Sequence, residues 1–523
     1  MRTAYGVETV RAAERELMAR LPEGALMQRA AAGLAVVCAD VLGRVSGRVY
    51  GSRVVLLVGS GDNGGDALYA GARLARRGAA VRAVLLTPER THSGGLAALL
   101  RAGGRVVEAG GGTGAVERAD LVVDGIVGIG GKGGLRPDAV PLAEAAERGR
   151  GVVVAVDLPS GVDADTGEVR GRALRADLTV TFGAYKPGLL IDPAREYAGA
   201  VRLVDIGLEV GEGAEGGRGA ARVEGPGEAG VEGPGEAGVE GPGGAGVEAL
   251  QHADVARLLP VPAAESDKYR RGVVGVAAGS ARYPGAAVLA VAGALRGGAG
   301  AVRYVGPAGE AVIARHPETL VSDRGPKHAG RVQAWVVGPG AGDDAATVGE
   351  VLAADVPVLI DADGLRLAEA GAVRGRRAPT LMTPHAGEAA ALLGVERGEV
   401  EAGRLAAVRE LAGRYGATVL LKGSTTLVAS AGGGGAGDGA GGRAGVVRVN
   451  PTGTPWLATA GSGDVLSGLG GSLLAAGLSA MDAGSVAAYL HGLAGRFAAE
   501  GAPVTAEDVA GRIAEAWRSV VRG

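Results

Sequence analysis

Two glycine-rich turns hold the residues best suited to chemistry, and each ends in an aspartate. They are Gly59-Ser60-Gly61-Asp62-Asn63-Gly64-Gly65-Asp66 and, about four hundred residues later, Ala460-Gly461-Ser462-Gly463-Asp464. Glycines let backbone N–H groups approach a ligand with no Cβ in the way. A helix starting behind such a turn favours anionic oxygen, and an acid beside it can move a proton. Two such cradles predict two active sites. Other acids end strand-like runs. Asp124 follows Val122-Val123 and opens the glycine-rich stretch to Gly134, and Asp157 follows Ala155-Val156 and opens Leu158-Pro159-Ser160-Gly161. A carboxylate, the Asn63 amide and the Ser160 hydroxyl at one sheet edge suit a hard cation, and the glycine turns suit phosphate. An acid after a strand is also an ordinary helix cap; the convergence of three such segments favours function.

Short apolar runs must position these residues. Strands are predicted over 53–58, 81–86, 121–124, 152–157 and 178–182, and again over 273–278, 334–338, 358–361, 380–383 and 418–422, with a helix over about 66–77. Runs of this length separated by helices imply parallel sheets covered on both faces, and ligands of such sheets bind at the carboxyl ends of the strands. The predicted fold class is α/β. Residues 1–208 form a Rossmann-like three-layer sandwich and residues 250–523 a larger α/β domain. Between them the octapeptide Val-Glu-Gly-Pro-Gly-Glu-Ala-Gly begins at Val223, repeats from Val231 and recurs with one change from Val239. It lacks bulky apolar residues, so 209–249 is read as a flexible Gly/Pro/Glu linker. Residues 431–445 read as an expanded loop between strands, because added loop length costs little.

The 523 residues predict more than one domain. A net charge of −3 gives no electrostatic case for nucleic acid or an anionic membrane. No uninterrupted apolar run is long enough to span a bilayer, and the charged start of the chain carries no signal core. The single cysteine, Cys38, lies in an apolar run, reads as a small buried hydrophobe and fits a reducing cytoplasm.

Taken together, the first-half motifs resemble the NAD(P)H-hydrate epimerase family, whose signature is Gly-x-Gly-Asn-Asn-Gly-Gly-Asp. Gly59–Asp66 matches it, Asp157–Asp163 matches a second family segment closely, Asp124–Gly130 matches a third loosely, and Thr181–Gly188 with Val204–Gly207 also look like the family. The resemblance implies a potassium ion (K+) held by Asn63, Asp124 and Ser160. It implies a hydrate pocket lined by Asp62, Asn63, Gly64, Gly65, Asp66, Gly128, Ile129, Gly130, Gly131, Lys132, Gly133, Gly134 and Asp157, with Asp157 as catalytic acid/base. Asp62 stands where the family has Asn, Ile129 where it has Thr, and Ala67 where it has Gly.

The second half resembles the ADP/ATP-dependent NAD(P)H-hydrate dehydratase, a ribokinase-like fold. The residues that carry this are Asn450–Gly468, Gly338–Gly342, Asp361-Ala362-Asp363-Gly364, Thr383–Glu388 and Lys422–Thr426. The resemblance implies nucleotide binding by Lys422, Gly423, Ser424, Thr425, Thr426 and Gly463. It implies hydrate contacts at Ala287, Gly340, His385 and Asp464, with Asp464 as catalytic base and Mg2+ arriving with ADP or ATP. Ala386 replaces a family Pro. The expected substrates are NADHX and NADPHX, the hydrated forms of NADH and NADPH. A homo-oligomer without nucleic acid or membrane partners is expected. The alternative reading is a ribokinase-like kinase of a vitamin-type alcohol carrying a non-catalytic N-terminal binding domain.

Overall fold

The computed structural model describes residues 1–107, 111–210, 246–431 and 445–522. The octapeptide repeats and most of the residues assigned to the linker and to the 431–445 loop lie outside these.

Seven strands form one wholly parallel sheet, in spatial order Arg105–Val106, Ala80–Leu85, Arg53–Val58, Leu121–Gly125, Val152–Val156, Leu178–Phe182 and Ala200–Val204. The chain first steps outward from Arg53–Val58 and then returns to pair Leu121–Gly125 on its other side. The strand order therefore reverses beside Arg53–Val58, and a crevice opens at the carboxyl ends of these strands. Gly59 and Asp124 sit there. One face of the sheet packs with Leu34, Leu56 and Leu68, the other with Leu57, Val122 and Leu142, which gives three layers as expected.

The long helix Ala25–Ser46 is apolar enough to cross a membrane by length and composition, although Arg29, Asp40 and Arg44 interrupt it. In the fold its stripe of Leu34, Cys38 and Leu42 packs into the sheet core. Cys38 is fully buried, and burial pushes its thiol up to about 12.

A second sheet of eleven strands repeats the plan. From Leu320–Ser322 through Ala301–Val305, Val273–Ala277, Ala334–Val337, Val358–Ile360 and Thr380–Met382 to Thr418–Leu421 it is parallel. Its order reverses beside Val273–Ala277, which pairs with both Ala301–Val305 and Ala334–Val337. The antiparallel strands Thr426–Ala429 and Val447–Asn450 follow, so the strand next to the 431–445 segment is Thr426–Ala429 and not Thr418–Leu421.

The expected domain division is crossed at this sheet's far edge. Val247–Ala249, assigned to the linker, pairs with Val447–Asn450, and Arg2–Ala4 adds antiparallel to it. Three-residue strands carry too little period to be read from sequence.

Candidate active sites

The first site forms at the crevice of the seven-stranded sheet. Gly61 is extended (φ −105°), so the helix opens at Asp62, one turn earlier than expected, and runs to Arg76. Gly59 and Gly64 are required here: a Cβ on Gly59 would overlap the Ile126 carbonyl, and one on Gly64 would overlap the Gly59 carbonyl. The turn therefore lies against the chain leaving Leu121–Gly125. Asp62 is exposed in the first turn of the helix, where its charge complements the helix dipole. Ala67 fits against Gly125, and Ile129 packs towards the apolar cluster of Val7, Leu158 and Val162. The departures from the epimerase pattern at these two positions are thus packing substitutions.

Asp124 is fully buried. Its Oδ1 accepts from Ser160 Oγ at 2.7 Å and its Oδ2 from Ser160 N at 2.8 Å. No cationic side chain among the described residues pairs with it, and burial raises its pKa to about 6. A Cβ on Gly128 would lie 3.0 Å from Asn63 Oδ1, and Asn63 Nδ2 is buried with no partner among the described residues.

Asp157 follows Val156 with φ 66°, a left-handed backbone that Asp tolerates better than most residues. Its Oδ1 accepts from Lys186 Nζ at 2.5 Å, Thr181 Oγ1 at 3.0 Å and the Phe182 N–H at 3.3 Å. These bonds converge on one oxygen and leave Oδ2 for a ligand. Lys186 is 1% exposed. Asp66 is also buried and its Oδ1 has no partner among the described residues; burial first, then Asp157, Asp62 and Glu14, raise its pKa well above the ordinary value of an aspartate. Glu14, from the helix Val7–Met18, is raised by burial as well.

The predicted residues therefore fall into two groups. Asp62, Asp66 and Asp157 gather around Glu14, with Lys186 bonded to Asp157. Gly130, Gly131, Lys132, Gly133 and Gly134 line a cavity of about 360 Å3 with Ser60, Thr87 and Arg136. Asn63, Asp124 and Ser160 adjoin that wall through Gly128 and Val127. Sequence reading assigned no role to Lys186, although a lysine between Tyr185 and Pro187 after a strand is a visible signal. Glu14 carries none: it reads as an ordinary charged helix residue.

The second site forms where four strand ends meet the helix Ser462–Ala475. Asp361, 1% exposed, accepts from Lys422 Nζ at 2.7 Å and from Ser467 Oγ at 2.6 Å. Ser467 also donates to the Gly463 carbonyl at 3.0 Å. Lys422 lies 3.8 Å from Glu388, whose carboxylate and the His385 ring cap the helix Ala386–Leu393 reciprocally. One chain of polar contacts thus joins His385, Glu388, Lys422, Asp361 and the turn at Gly463. A Cβ on Gly463 would stand 3.4 Å from Lys422 Nζ, so this glycine keeps the space above the lysine open.

Asp464 is half-buried in the first turn of its helix and makes no hydrogen bond or ion pair among the described residues. It is not a cap. Burial first, and then the charge of Asp361, raise its pKa to about 7. Gly340 adopts φ 61° against the Tyr283 carbonyl, and the Gly342 N–H donates to Asp363 at 2.9 Å. Ala287 is fully buried beneath Gly279, so it shapes the turn rather than facing solvent. Gly423 and Ser424 are exposed beside Lys422 and Thr426 is half-buried, whereas Thr425 is fully buried with its hydroxyl taken by the Asp192 N–H. Asp361, Ser467 and Glu388 received no role from the sequence: Asp361 meets its partners 61 and 106 residues away, and Glu388 meets Lys422 from another strand end.

Comparison with known proteins divides the chain in the same way. The sequence profile of the NAD(P)H-hydrate dehydratase family matches residues 274–515, and that of the YjeF-related protein N-terminus matches residues 23–188. The chain is 46% identical over 488 residues to the bifunctional NAD(P)H-hydrate repair enzyme Nnr of Mycobacterium tuberculosis (strain CDC 1551 / Oshkosh), covering 92% of this chain and 91% of that protein. It is 45% identical over 504 residues to the enzyme of the same name from Mycobacterium leprae (strain TN), covering 95% and 94%. Among solved structures, the ADP/ATP-dependent NAD(P)H-hydrate dehydratase of Bacillus subtilis, co-crystallised with ATP/Mg2+, aligns with a TM-score of 0.45 at 27% identity over 52% of this chain and 97% of that one.

Proposed function

The chain belongs to the family of bifunctional NAD(P)H-hydrate repair enzymes, and we propose that its two glycine-turn sites divide that repair between them. It epimerises the R and S hydrates of NADH and NADPH and dehydrates the S hydrate at the expense of a nucleotide. The likeness to repair enzymes runs through both halves and sets aside the vitamin-kinase alternative.

Hydration of the dihydronicotinamide leaves a hydroxyl on the carbon beside the ring nitrogen. Inverting that carbon requires hydroxide to leave from one face and water to return to the other, through a cation shared with the nitrogen. In our reading the protonated Asp66 gives its proton to the departing hydroxyl, and Asp157 Oδ2 takes one from the returning water. Asp66 is buried with Oδ1 unpartnered among the described residues, whereas Lys186 holds Asp157 by Oδ1, and this difference suits the two groups to opposite tasks. Lys186 holds Asp157 in place, and the acidic surroundings favour the transient ring cation.

Dehydration needs a better leaving group than hydroxide. Asp464 takes the proton of the hydroxyl as its oxygen attacks the terminal phosphoryl group. The N–H groups of Gly461 to Gly463 and Lys422 meet the transferring charge as the shortened nucleotide leaves, and loss of the new phosphate together with a proton from the neighbouring ring carbon restores the dihydropyridine. The half-buried Asp464, without a partner among the described residues and near the Lys422–Asp361 pair, is the observation that carries this assignment. A magnesium ion travels with the nucleotide phosphates, and the carboxylates of Asp363 and Glu388 near Asp464 suit it. The assignment is tested by supplying separated R and S hydrates with ADP or ATP and following recovery of dihydronicotinamide absorbance. Recovery of the S hydrate without nucleotide would overturn it.

Two measurements extend this reading. Since kcat/KM reports groups of the free enzyme, dehydration should rise with pH through about 7 as Asp464 ionises. Asp361→Asn removes a negative neighbour and frees Lys422, and both changes favour the carboxylate. The limb should therefore move to lower pH; an unmoved limb would assign it to another group.

For the first site we propose K+ between Asp124, Ser160 and Asn63, because a fully buried carboxylate with no cationic partner among the described residues suits an ion there. Burial raises the pKa of Asp124, so its ionised form costs stability as pH rises from the ordinary carboxylate range through about 6. Potassium at neutral pH should relieve that cost. The melting temperature should rise in potassium relative to tetramethylammonium at equal ionic strength, and the rise should vanish in Asp124→Asn. Equal melting in both salts would remove the ion from the site.

A further inference from the structure

The first domain reaches into the second behind a turn of the second active site. Leu190 and Ile191 sit in the apolar core of the second domain. Beside them the Asp192 N–H donates to Thr425 Oγ1 at 3.1 Å. Arg404, only 5% exposed, donates through Nη2 to the carbonyls of Leu421 at 3.3 Å, Lys422 at 3.1 Å and Thr425 at 2.9 Å. One guanidinium thus closes the turn from behind, and Gly423 makes room for it, since a Cβ there would overlap Arg404. Asp192 is 4% exposed, and neither of its carboxylate oxygens, nor Arg404 Nε, has a partner among the described residues. Burial disfavours the charge on Arg404, and Asp192 is the first of the groups that support it. A buried ion that lost such a counter-charge would sit uncompensated in the interior.

We propose that Asp192 and Arg404 are a positioning pair for the nucleotide-binding turn, so that the epimerase half holds the phosphate-donor loop of the dehydratase half in its working shape. This rests on the assignment of Lys422 to Thr426 to the nucleotide. Neither residue touches substrate. Arg404 acts through the three carbonyls it gathers, and Asp192 acts through its N–H on Thr425 Oγ1 and through its charge in the neighbourhood of that buried guanidinium. A turn ordered before binding spares the nucleotide the cost of ordering it, so loss of the pair should appear in nucleotide affinity rather than in the chemical step.

The test uses the full-length chain carrying Asp192→Asn or Arg404→Lys. With saturating S hydrate, the KM for ADP and ATP should rise about tenfold in Asp192→Asn and further in Arg404→Lys, a coupling of ordinary size between linked sites. The KM for the hydrate and the epimerisation rate should stay unchanged. The effects of the double variant should be less than additive, because both residues act on the same turn. Nucleotide KM within about twofold of the unaltered chain in both variants would overturn the proposal. So would parallel loss of both activities and of melting temperature, which marks a merely structural role. Amide exchange separates this from failure of the site assignment. If ADP does not slow exchange across residues 421–426 in the unaltered chain, the turn is not the nucleotide site and the proposal falls with it. Slowed exchange with an unmoved KM overturns the proposal alone.

Discussion

Asp464→Asn should abolish nucleotide-dependent dehydration, lowering kcat by about 10^3- to 10^4-fold, the upper range for removal of a general base. The reason is positional as well as electrostatic. Asp464 stands at the first turn of Ser462–Ala475 next to the N–H groups meant for the phosphoryl oxygens. No side chain among the described residues ties it down, and burial brings it to about 7, the value at which a carboxylate is both a competent base and substantially ionised at neutral pH. Asn keeps the shape and removes the proton acceptor. The KM for nucleotide should change little, because the Lys422–Asp361–Ser467 contacts remain. The assay is recovery of dihydronicotinamide absorbance from pure S hydrate. Activity within about tenfold of the unaltered enzyme would move the base elsewhere. Epimerisation, measured in the same preparation without nucleotide, reports that the chain is folded.

Asp157→Asn should reduce epimerisation by at least about 10^2-fold. Dehydration then becomes the internal control: a mixture of epimers should be repaired only as far as its S fraction. This substitution also leaves Lys186 buried without its counter-charge, a cost of about 3–5 kcal/mol where the charge stays uncompensated. The melting temperature of the first domain should fall with it. Adding Lys186→Met to Asp157→Asn should recover much of the stability and none of the activity. Full repair of both epimers by Asp157→Asn would end its role as the acid/base.

Much of this is legible in the sequence. Arg53–Val58, Leu121–Gly125 and Val152–Val156 are central strands buried on both faces, so their apolar runs are nearly unbroken and easy to see. The residues after them fall at the crevice because parallel sheets place them there. What the sequence withheld depends on pairing at a distance. Arg404 reads as a charged residue opening a helix, and only folding shows it closing the Leu421–Thr425 turn. Asp361 is visible as a strand end, but its partners Lys422 and Ser467 come from other segments. Arg2–Ala4 and Val247–Ala249 are too short to announce themselves as strands.

The edge strand Arg2–Ala4 has a consequence for how the molecule is made. Its partner Val247–Ala249 leaves the ribosome nearly 250 residues later, and that partner pairs in turn with Val447–Asn450. Ala4 and Tyr5 can meet Tyr185 within the first domain, but the opening segment joins the second sheet only once Val247–Ala249 has emerged. Contacts so distant along the chain form slowly, whereas the helix carrying Glu14 is held inside the first domain, where the Val7 N–H donates to Asp165 at 2.7 Å and Val7 packs with Leu158 and Val162. The epimerase pocket can thus settle ahead of the dehydratase half, and closure of the second sheet's edge is the step that must trail synthesis.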